Sequence, residues 1–192
     1  MSRGKKTTNQ VRIIGGEHRG RRLSFPDLPG LRPTGDRVRE TLFNWLQPRL
    51  PGSACLDLFA GSGALGLEAA SRGAGRVVMV ERAAAAVAQL RENAALLGFS
   101  NVRVIQAEAL AWLQSESEPF EIVFLDPPFG EGLLRECCRL LQQSGRLRPD
   151  ARIYLEMDTA EELPQLPAGW QILKRKRAGQ VAFFLVTNGP EG

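Results

Sequence analysis

Ala54-Cys55-Leu56-Asp57-Leu58-Phe59-Ala60-Gly61-Ser62-Gly63-Ala64-Leu65-Gly66 is the stretch that decides the fold. Its first half, Ala54 to Phe59, is an apolar run of strand length. Its second half is a glycine turn that feeds a helix over Leu65 to Ser71. The glycines allow a tight turn and a close approach to the backbone, and a helix N-terminus with free amides follows them. The same strand-then-helix alternation then repeats. Strands are expected at Arg76 to Glu81, Val102 to Gln106, Phe120 to Asp126 and Ala151 to Glu156. Helices are expected at Ala83 to Leu97, through Leu110, Trp112 and Leu113, along Leu133, Cys137, Leu140 and Leu141, and briefly near Ala160 to Leu163. Two last strands, Trp170 to Arg177 and Val181 to Thr187, meet at an Ala178-Gly179 turn and must be antiparallel.

Alternating units of this kind specify an α/β fold: a doubly wound, seven-stranded, mostly parallel sheet with helices on both faces. Upstream, Val38, Leu42, Trp45 and Leu46 mark one face of a helix that starts at Asp36 and is stopped by Pro48 and Pro51-Gly52. Before it, Val11, Ile13, Ile14 and Leu23 interleave with arginines in a short hairpin turning near Gly15-Gly16 or Gly20. The chain therefore divides into a basic N-terminal extension of hairpin and helix, residues 1–50, and a larger domain, residues 51–192.

Charge supports that division. Residues 1–50 carry 11 Lys and Arg against 4 Asp and Glu, whereas residues 51–192 carry 14 against 17. Basic charge gathered on one segment of an otherwise acidic protein points to a polyanion partner. Arg12, Arg19, Arg21, Arg22 and Arg32, with the run Lys174-Arg175-Lys176-Arg177, are the candidate phosphate contacts. Three cysteines (Cys55, Cys137, Cys138) and a single histidine, His18, show no paired spacing, which argues against a disulfide framework or a zinc site. No apolar run approaches the ~20 residues of a membrane helix, and the basic start is not followed by an apolar segment. A reducing, cytoplasmic setting without membrane attachment is expected.

In doubly wound sheets the ligand lies beyond the carboxyl ends of the strands. After the first strand stand Asp57, Phe59, Ala60, Gly61, Ser62 and Gly63; after the second, Glu81 and Arg82; after the third, Glu108 and Ala109. Glu81 falls 20 residues after Gly61, where a carboxylate can accept both ribose hydroxyls, a spacing that a nicotinamide dinucleotide protein shares. Asp57 separates the two. A carboxylate four residues before Gly61 would repel a pyrophosphate and attract the ammonium of an amino-acid moiety. S-adenosyl-L-methionine has that ammonium, a ribose and a sulfonium cation. Glu108 is placed to accept from its adenine amine.

After the fourth strand comes Asp126-Pro127-Pro128-Phe129. Each proline fixes φ, removes a donor and keeps the preceding residue extended. The corner offers acceptors and a flat apolar ring, which suits an exocyclic amine on a planar base. Asp126 and the Pro127 carbonyl accept the amine hydrogens, Pro128 stiffens the corner and Phe129 stacks. Holding both hydrogens aims the nitrogen lone pair at a sulfonium methyl, and the carboxylate stabilises the charge that develops.

These motifs resemble the class I S-adenosylmethionine-dependent methyltransferases. Within them, Arg12-Ile13-Ile14-Gly15-Gly16 and Arg32-Pro33-Thr34-Gly35-Asp36-Arg37-Val38-Arg39-Glu40-Thr41-Leu42-Phe43-Asn44 resemble the RsmD family, which methylates the exocyclic N2 of a guanine in bacterial small-subunit (16S) ribosomal RNA. The resemblance spans about residues 11–187. It implies the strand order 3-2-1-4-5-7-6 with the seventh strand antiparallel. It also implies that the segment from Thr34 to Arg37 folds over the cofactor, and that Asp126 and Pro127 hold the guanine amine. One departure is Glu108, where the family usually has aspartate. The implied partner is small-subunit ribosomal RNA, free or in an assembled or assembling particle, with the protein acting as a monomer. An adenine-N6 methyltransferase would use the same corner. A glutamine methyltransferase would more often carry Asn there and would not need basic hairpins. A nicotinamide-dependent oxidoreductase would leave the corner and the basic extension unexplained, and an inert RNA-binding module would leave the site residues without a use.

Overall fold

A computed structural model describes residues 9–115 and 118–189. Strands β1 (Asn9–Arg12) and β2 (Arg22–Phe25) form an antiparallel hairpin with Val11 opposite Leu23. Ile13 prolongs it, donating to the Arg21 carbonyl at 2.9 Å and accepting from the Gly20 amide at 2.8 Å. Gly16 and Gly20, at φ 77° and 86°, both serve the turn. Helix α1 (Asp36–Leu46) buries Val38, Leu42 and Leu46 of the predicted stripe, but Phe43 takes the fully buried place and Trp45 stays half-buried.

The main sheet comprises β3 (Ala54–Asp57), β4 (Arg76–Glu81), β5 (Val102–Gln106), β6 (Phe120–Leu125), β7 (Leu147–Asp158), β8 (Gln171–Ala178) and β9 (Val181–Thr187). Their order is β5-β4-β3-β6-β7-β9-β8, which is the implied order counted from β3. Strand β9 runs antiparallel to both neighbours, and the other pairings are parallel. The sheet is a doubly wound, mostly parallel one, as the alternation requires. Ile122, Val123, Phe124 and Leu125 are all buried because β6 is covered on both faces.

Side-chain alternation sorts the core into two layers. Cys55, Met79, Phe124 and Tyr154 face α1, α2 (Gly66–Ser71), α3 (Ala84–Leu96) and the hairpin. Leu56, Val78, Val123 and Leu155 face α4 (Ala109–Leu113) and α5 (Leu133–Gln143). Asp57, Asp126 and Glu156 continue the first of these alternations at the carboxyl ends of β3, β6 and β7, so they belong to the α1 side.

The structure departs from the sequence reading in three places. Residues 159–161 turn instead of forming a helix: the Asp158 side chain accepts the Ala160 amide at 2.8 Å and its carbonyl accepts the Glu161 amide at 3.0 Å, and Pro164 follows closely. Strand β7 starts at Leu147, four residues earlier than the apolar run, across a register break between Phe120 and Ile122 on β6 and a left-handed Asp150. Strand β3 ends at Asp57, and Leu58 keeps only one bond to the sheet, its amide to the Phe124 carbonyl at 3.2 Å.

The hairpin and α1 share the core layer of α2 and α3, and polar docking fixes their position. Glu68 on α2 is fully buried. It accepts the amides of Ile14 (3.0 Å) and Gly15 (2.8 Å), and its carboxylate pairs with Arg39 (3.3 Å) and Arg72 (2.7 Å). Ser71 accepts the His18 amide at 3.0 Å and donates to the Gly15 carbonyl at 2.7 Å. A Cβ on Gly16 would lie 1.9 Å from the Ser71 carbonyl oxygen, so only glycine fits there. Breaking a buried ion pair by removing one partner is strongly destabilising. Glu68→Ala should therefore lower the unfolding free energy by about 3 kcal/mol or more. The measurement is urea unfolding combined with limited proteolysis, in which cleavage between residues 13 and 22 should appear before global unfolding.

Candidate active site

The carboxyl ends of β3 to β7 open into a cavity of about 930 Å³. Its floor is the glycine turn. The Ala60 amide donates to the Val80 carbonyl at 3.0 Å, and the Gly63 amide donates to the Ala60 carbonyl at 2.7 Å. Gly61 and Gly63 sit at φ 53° and 82°. A Cβ on Gly61 would press on Leu31 at 2.8 Å. The segment Leu28–Gly35 lines the cavity opposite the glycine turn, so the chain from the extension crosses the nucleotide end of the sheet.

Glu81 stands between its own loop and the turn. One carboxylate oxygen accepts the Gly61 amide at 2.9 Å and the other accepts the Ala83 amide at 2.8 Å. Each oxygen keeps a further lone pair for a hydroxyl. Asp57 divides its work differently. Its Oδ2 accepts the Gly66 amide at 2.9 Å at the start of α2; Oδ1 is buried and makes no hydrogen bond of normal geometry among the described residues, the Phe59 amide reaching the carboxylate only weakly. Burial, reinforced by the Glu81 charge and opposed by the Gly66 amide, pushes its carboxyl up to about 7. A weakly engaged buried acceptor in a cavity wall fits a cationic donor such as the ammonium of S-adenosyl-L-methionine. Asp57, Glu81 and the glycine turn are the groups that would hold that cofactor.

At the other end of the cavity, the Thr34 hydroxyl lies 3.1 Å from Asp126 Oδ2 and 3.5 Å from Glu156 Oε2. The Tyr154 hydroxyl donates to Glu156 Oε2 at 2.7 Å. Burial first, and then the Glu156 charge, raise the Asp126 carboxyl well above its ordinary value, against the Thr34 bond. Burial also raises Glu156, opposed by the bonds from Tyr154 and Thr34. Pro127 is buried, while Phe129 is 46 % exposed with its ring at the rim.

The structure gathers Thr34, Asp57, Phe59, Ala60, Gly61, Ser62, Glu81, Arg82, Glu108, Ala109 and Asp126 through Phe129 around this one cavity. It does not bring Arg37 or Gly63 to the wall. Arg37 is exposed on α1, and Gly63 is packed where a Cβ would strike Leu90 and Leu67 at 2.6 and 2.7 Å. Arg32, read as a phosphate contact, lines the cavity. Arg12 is exposed but paired with Asp36 at 3.0 Å. Arg19, Arg21 and Arg22 are exposed on the hairpin, and Lys174 to Arg177 are exposed along β8. Sequence reasoning missed Leu31, Tyr154 and Glu156. Glu156 had a signal, a charged residue closing an apolar strand at the ligand end of the sheet.

A carboxyl that binds its proton more tightly folded than unfolded adds stability below its unfolded value near 4, and that stability is lost as pH rises through the folded value. For Asp57 the window runs from about 4 to about 7. Asp126 and Glu156 act in the same direction. The ligand-free protein should lose stability across that window. Asp57→Asn should flatten the slope by at most about 1.4 kcal/mol per pH unit, as read from urea unfolding at a series of pH values.

The family described as Conserved hypothetical protein 95 matches residues 11–187. The chain is 50% identical over 185 residues to the Ribosomal RNA small subunit methyltransferase D of Escherichia coli (strain K12), covering 96% of this chain and 93% of that protein. It is 45% identical over 184 residues to the protein of the same name from Haemophilus influenzae, covering 93% of this chain and 94% of that one. The solved structure of Escherichia coli yhhF superposes with a TM-score of 0.89 at 48% identity, over 94% of this chain and 99% of that one. With the match spanning almost all of the described residues, the chain belongs to this family, the RsmD methyltransferases.

Proposed function

We propose that the protein transfers the methyl group of S-adenosyl-L-methionine to the exocyclic N2 amine of a guanine in small-subunit ribosomal RNA. The observation that carries this reading is the convergence of two unlike acceptors in one cavity. The Asp57 carboxylate lies at the glycine turn, and the proline-locked carboxylate of Asp126 follows the end of the adjacent strand β6, both lining the one cavity. When bound, the cofactor supplies an electrophilic methyl group on a sulfonium. The protein's own residues do the rest. Asp126 and the Pro127 carbonyl accept the amine hydrogens, and Phe129 offers its exposed ring for stacking. As the nitrogen gains its carbon substituent and positive charge, the Asp126 carboxylate stabilises that charge and then takes the surplus proton.

A base inside a stacked helix cannot reach this corner, so the guanine must be extruded from its stack. The exposed hairpin arginines and the Lys174–Arg177 run are set to hold phosphates on either side. The hairpin is bonded to α3 through the Asn93 side chain and the Ser24 carbonyl at 2.8 Å, and β8 lies at the opposite edge of the sheet. The substrate is small-subunit ribosomal RNA, free or in an assembled or assembling particle, and the protein acts as a monomer in the cytoplasm.

Nucleoside mass spectrometry of ribosomal RNA from cells lacking the protein tests the reading. One N2-methylguanine should disappear, return with the wild type and stay absent with Asp126→Ala. An unchanged nucleoside profile would refute it. In vitro, Asp126→Ala should slow methyl transfer by about 100-fold or more, about 3 kcal/mol of barrier, while S-adenosylhomocysteine still raises the melting temperature. Reversing Arg21 and Arg22 to Glu should weaken RNA binding and flatten the dependence of log K on log salt by about two. Filter binding at several ionic strengths checks this.

A further inference from the structure

Strand β7 is buried from Ala151 to Met157, yet three positions on one face carry polar side chains: Arg152, which bonds the Asp150 carbonyl and the Thr187 hydroxyl, then Tyr154 and Glu156 nearer the cavity. In the parallel pair of β6 and β7, Leu125 lies opposite Leu155. The next residue on each chain is a carboxylate, so Asp126 and Glu156 stand side by side where β6 ends, while β7 stays paired with β9 to Asp158. Both reach the Thr34 hydroxyl, and Tyr154 fixes the same Glu156 oxygen from beneath. Among the described residues, no ion pair joins a Lys, Arg or His to either carboxylate. A buried carboxylate beside a half-buried one, without a cation, is costly, and a satisfied scaffold would not need the second one.

Glu156 also stands where two spaces meet. It lines the large cavity together with Asp126, and it lines a smaller cleft of about 210 Å³ that opens against Pro127, Pro128 and Phe129. A planar base held at this corner therefore meets two neighbouring acceptors. The Watson–Crick edge of guanine presents two neighbouring donors, the 2-amine and N1–H. Adenine presents its amine beside N1, a bare acceptor, which would leave two lone pairs facing each other away from water.

We propose that Glu156 is a specificity-determining residue that accepts the guanine N1–H while Asp126 holds the adjacent 2-amine. This inference rests on the guanine-N2 reading above. Thr34 and Tyr154 are positioning residues that fix the Glu156 carboxylate at the spacing of the two donors.

The test uses RNA carrying, at the position mapped by nucleoside mass spectrometry, either guanine or 2-aminopurine. The analogue keeps the 2-amine but has an acceptor at N1. The wild type should prefer guanine by on the order of 100-fold or more in kcat/KM, since a site built around a donor rejects the analogue that lacks it. Glu156→Gln can donate as well as accept, so it should shrink that preference at least tenfold, losing rate on guanine but not on the analogue. A purely structural Glu156 would slow both substrates alike and leave the ratio unchanged, which overturns the inference. A wild type that methylates guanine without preferring it over 2-aminopurine also overturns it and leaves the methyl-transfer reading standing. A wild type that methylates no guanine at all refutes that reading itself. Should Glu156→Gln lose its melting shift with S-adenosylhomocysteine, Tyr154→Phe serves instead: it keeps the carboxylate, frees Oε2, and should reduce the preference severalfold.

Discussion

A single buried carboxylate, Glu68, holds the N-terminal extension against the nucleotide-binding sheet. The hairpin and α1 share no main-chain ladder with the seven-stranded sheet; their position comes from apolar packing on α2 and α3 and from the groups that converge on Glu68. The Arg39 guanidinium, buried beside it, also donates to the Arg12 carbonyl at 2.9 Å and to the Thr34 carbonyl at 3.0 Å. One cation thus ties the hairpin, α1 and the Leu28–Gly35 segment together. Because the Thr34 backbone is pinned from behind, its hydroxyl is held against Asp126. Leu31 is likewise held over Gly61. The reacting corner is assembled from segments 92 residues apart in sequence, and the ion pair beneath α1 keeps that assembly in register.

Around the cavity the electrostatics run against those of the molecule as a whole. The formal net charge is +4, yet Asp57, Glu81, Asp126 and Glu156 all line the same space. Burial and neighbouring carboxylate charge raise the proton affinity of Asp57 and Asp126. Such a wall suits a cofactor that brings cationic charge and a base that brings hydrogen-bond donors, since each relieves part of the crowding. A pyrophosphate would add to it. On the proposed function, the opposition between a basic exterior and an acidic cavity would sort two parts of one substrate, the phosphate backbone outside and the base edge within.

Much of this was legible in the sequence. The glycine turn, the alternation of strands and helices and the Asp126–Phe129 corner are local signals, carried by residues close together in the chain. Strand order came through the resemblance, because periodicity alone does not say which strands are neighbours. What escaped depends on distant segments meeting. Leu31 on Gly61 and Thr34 between two carboxylates are contacts between the extension and strand ends far downstream. Gly63 looked like part of a ligand loop, but it is glycine because α2 and α3 side chains crowd it. Arg12 looked like a free phosphate contact, but Asp36 on α1 faces it. The turn after β7 was misread because an aspartate side chain satisfied the backbone in place of a helical hydrogen bond.

Strand β8 lies at the rim of the sheet, its outer backbone edge unpaired among the described residues, and the exposed Ile172 sits beside a break in its register with β9. An uncovered strand of that length invites another polypeptide to add itself to the sheet. Four consecutive cationic side chains, Lys174 to Arg177, project from both of its faces, so a second copy approaching in register would meet its own charge. Charge on an edge strand opposes such pairing, so substitutions that neutralise this strip would cost colloidal stability as well as any affinity the strip contributes for a nucleic-acid backbone.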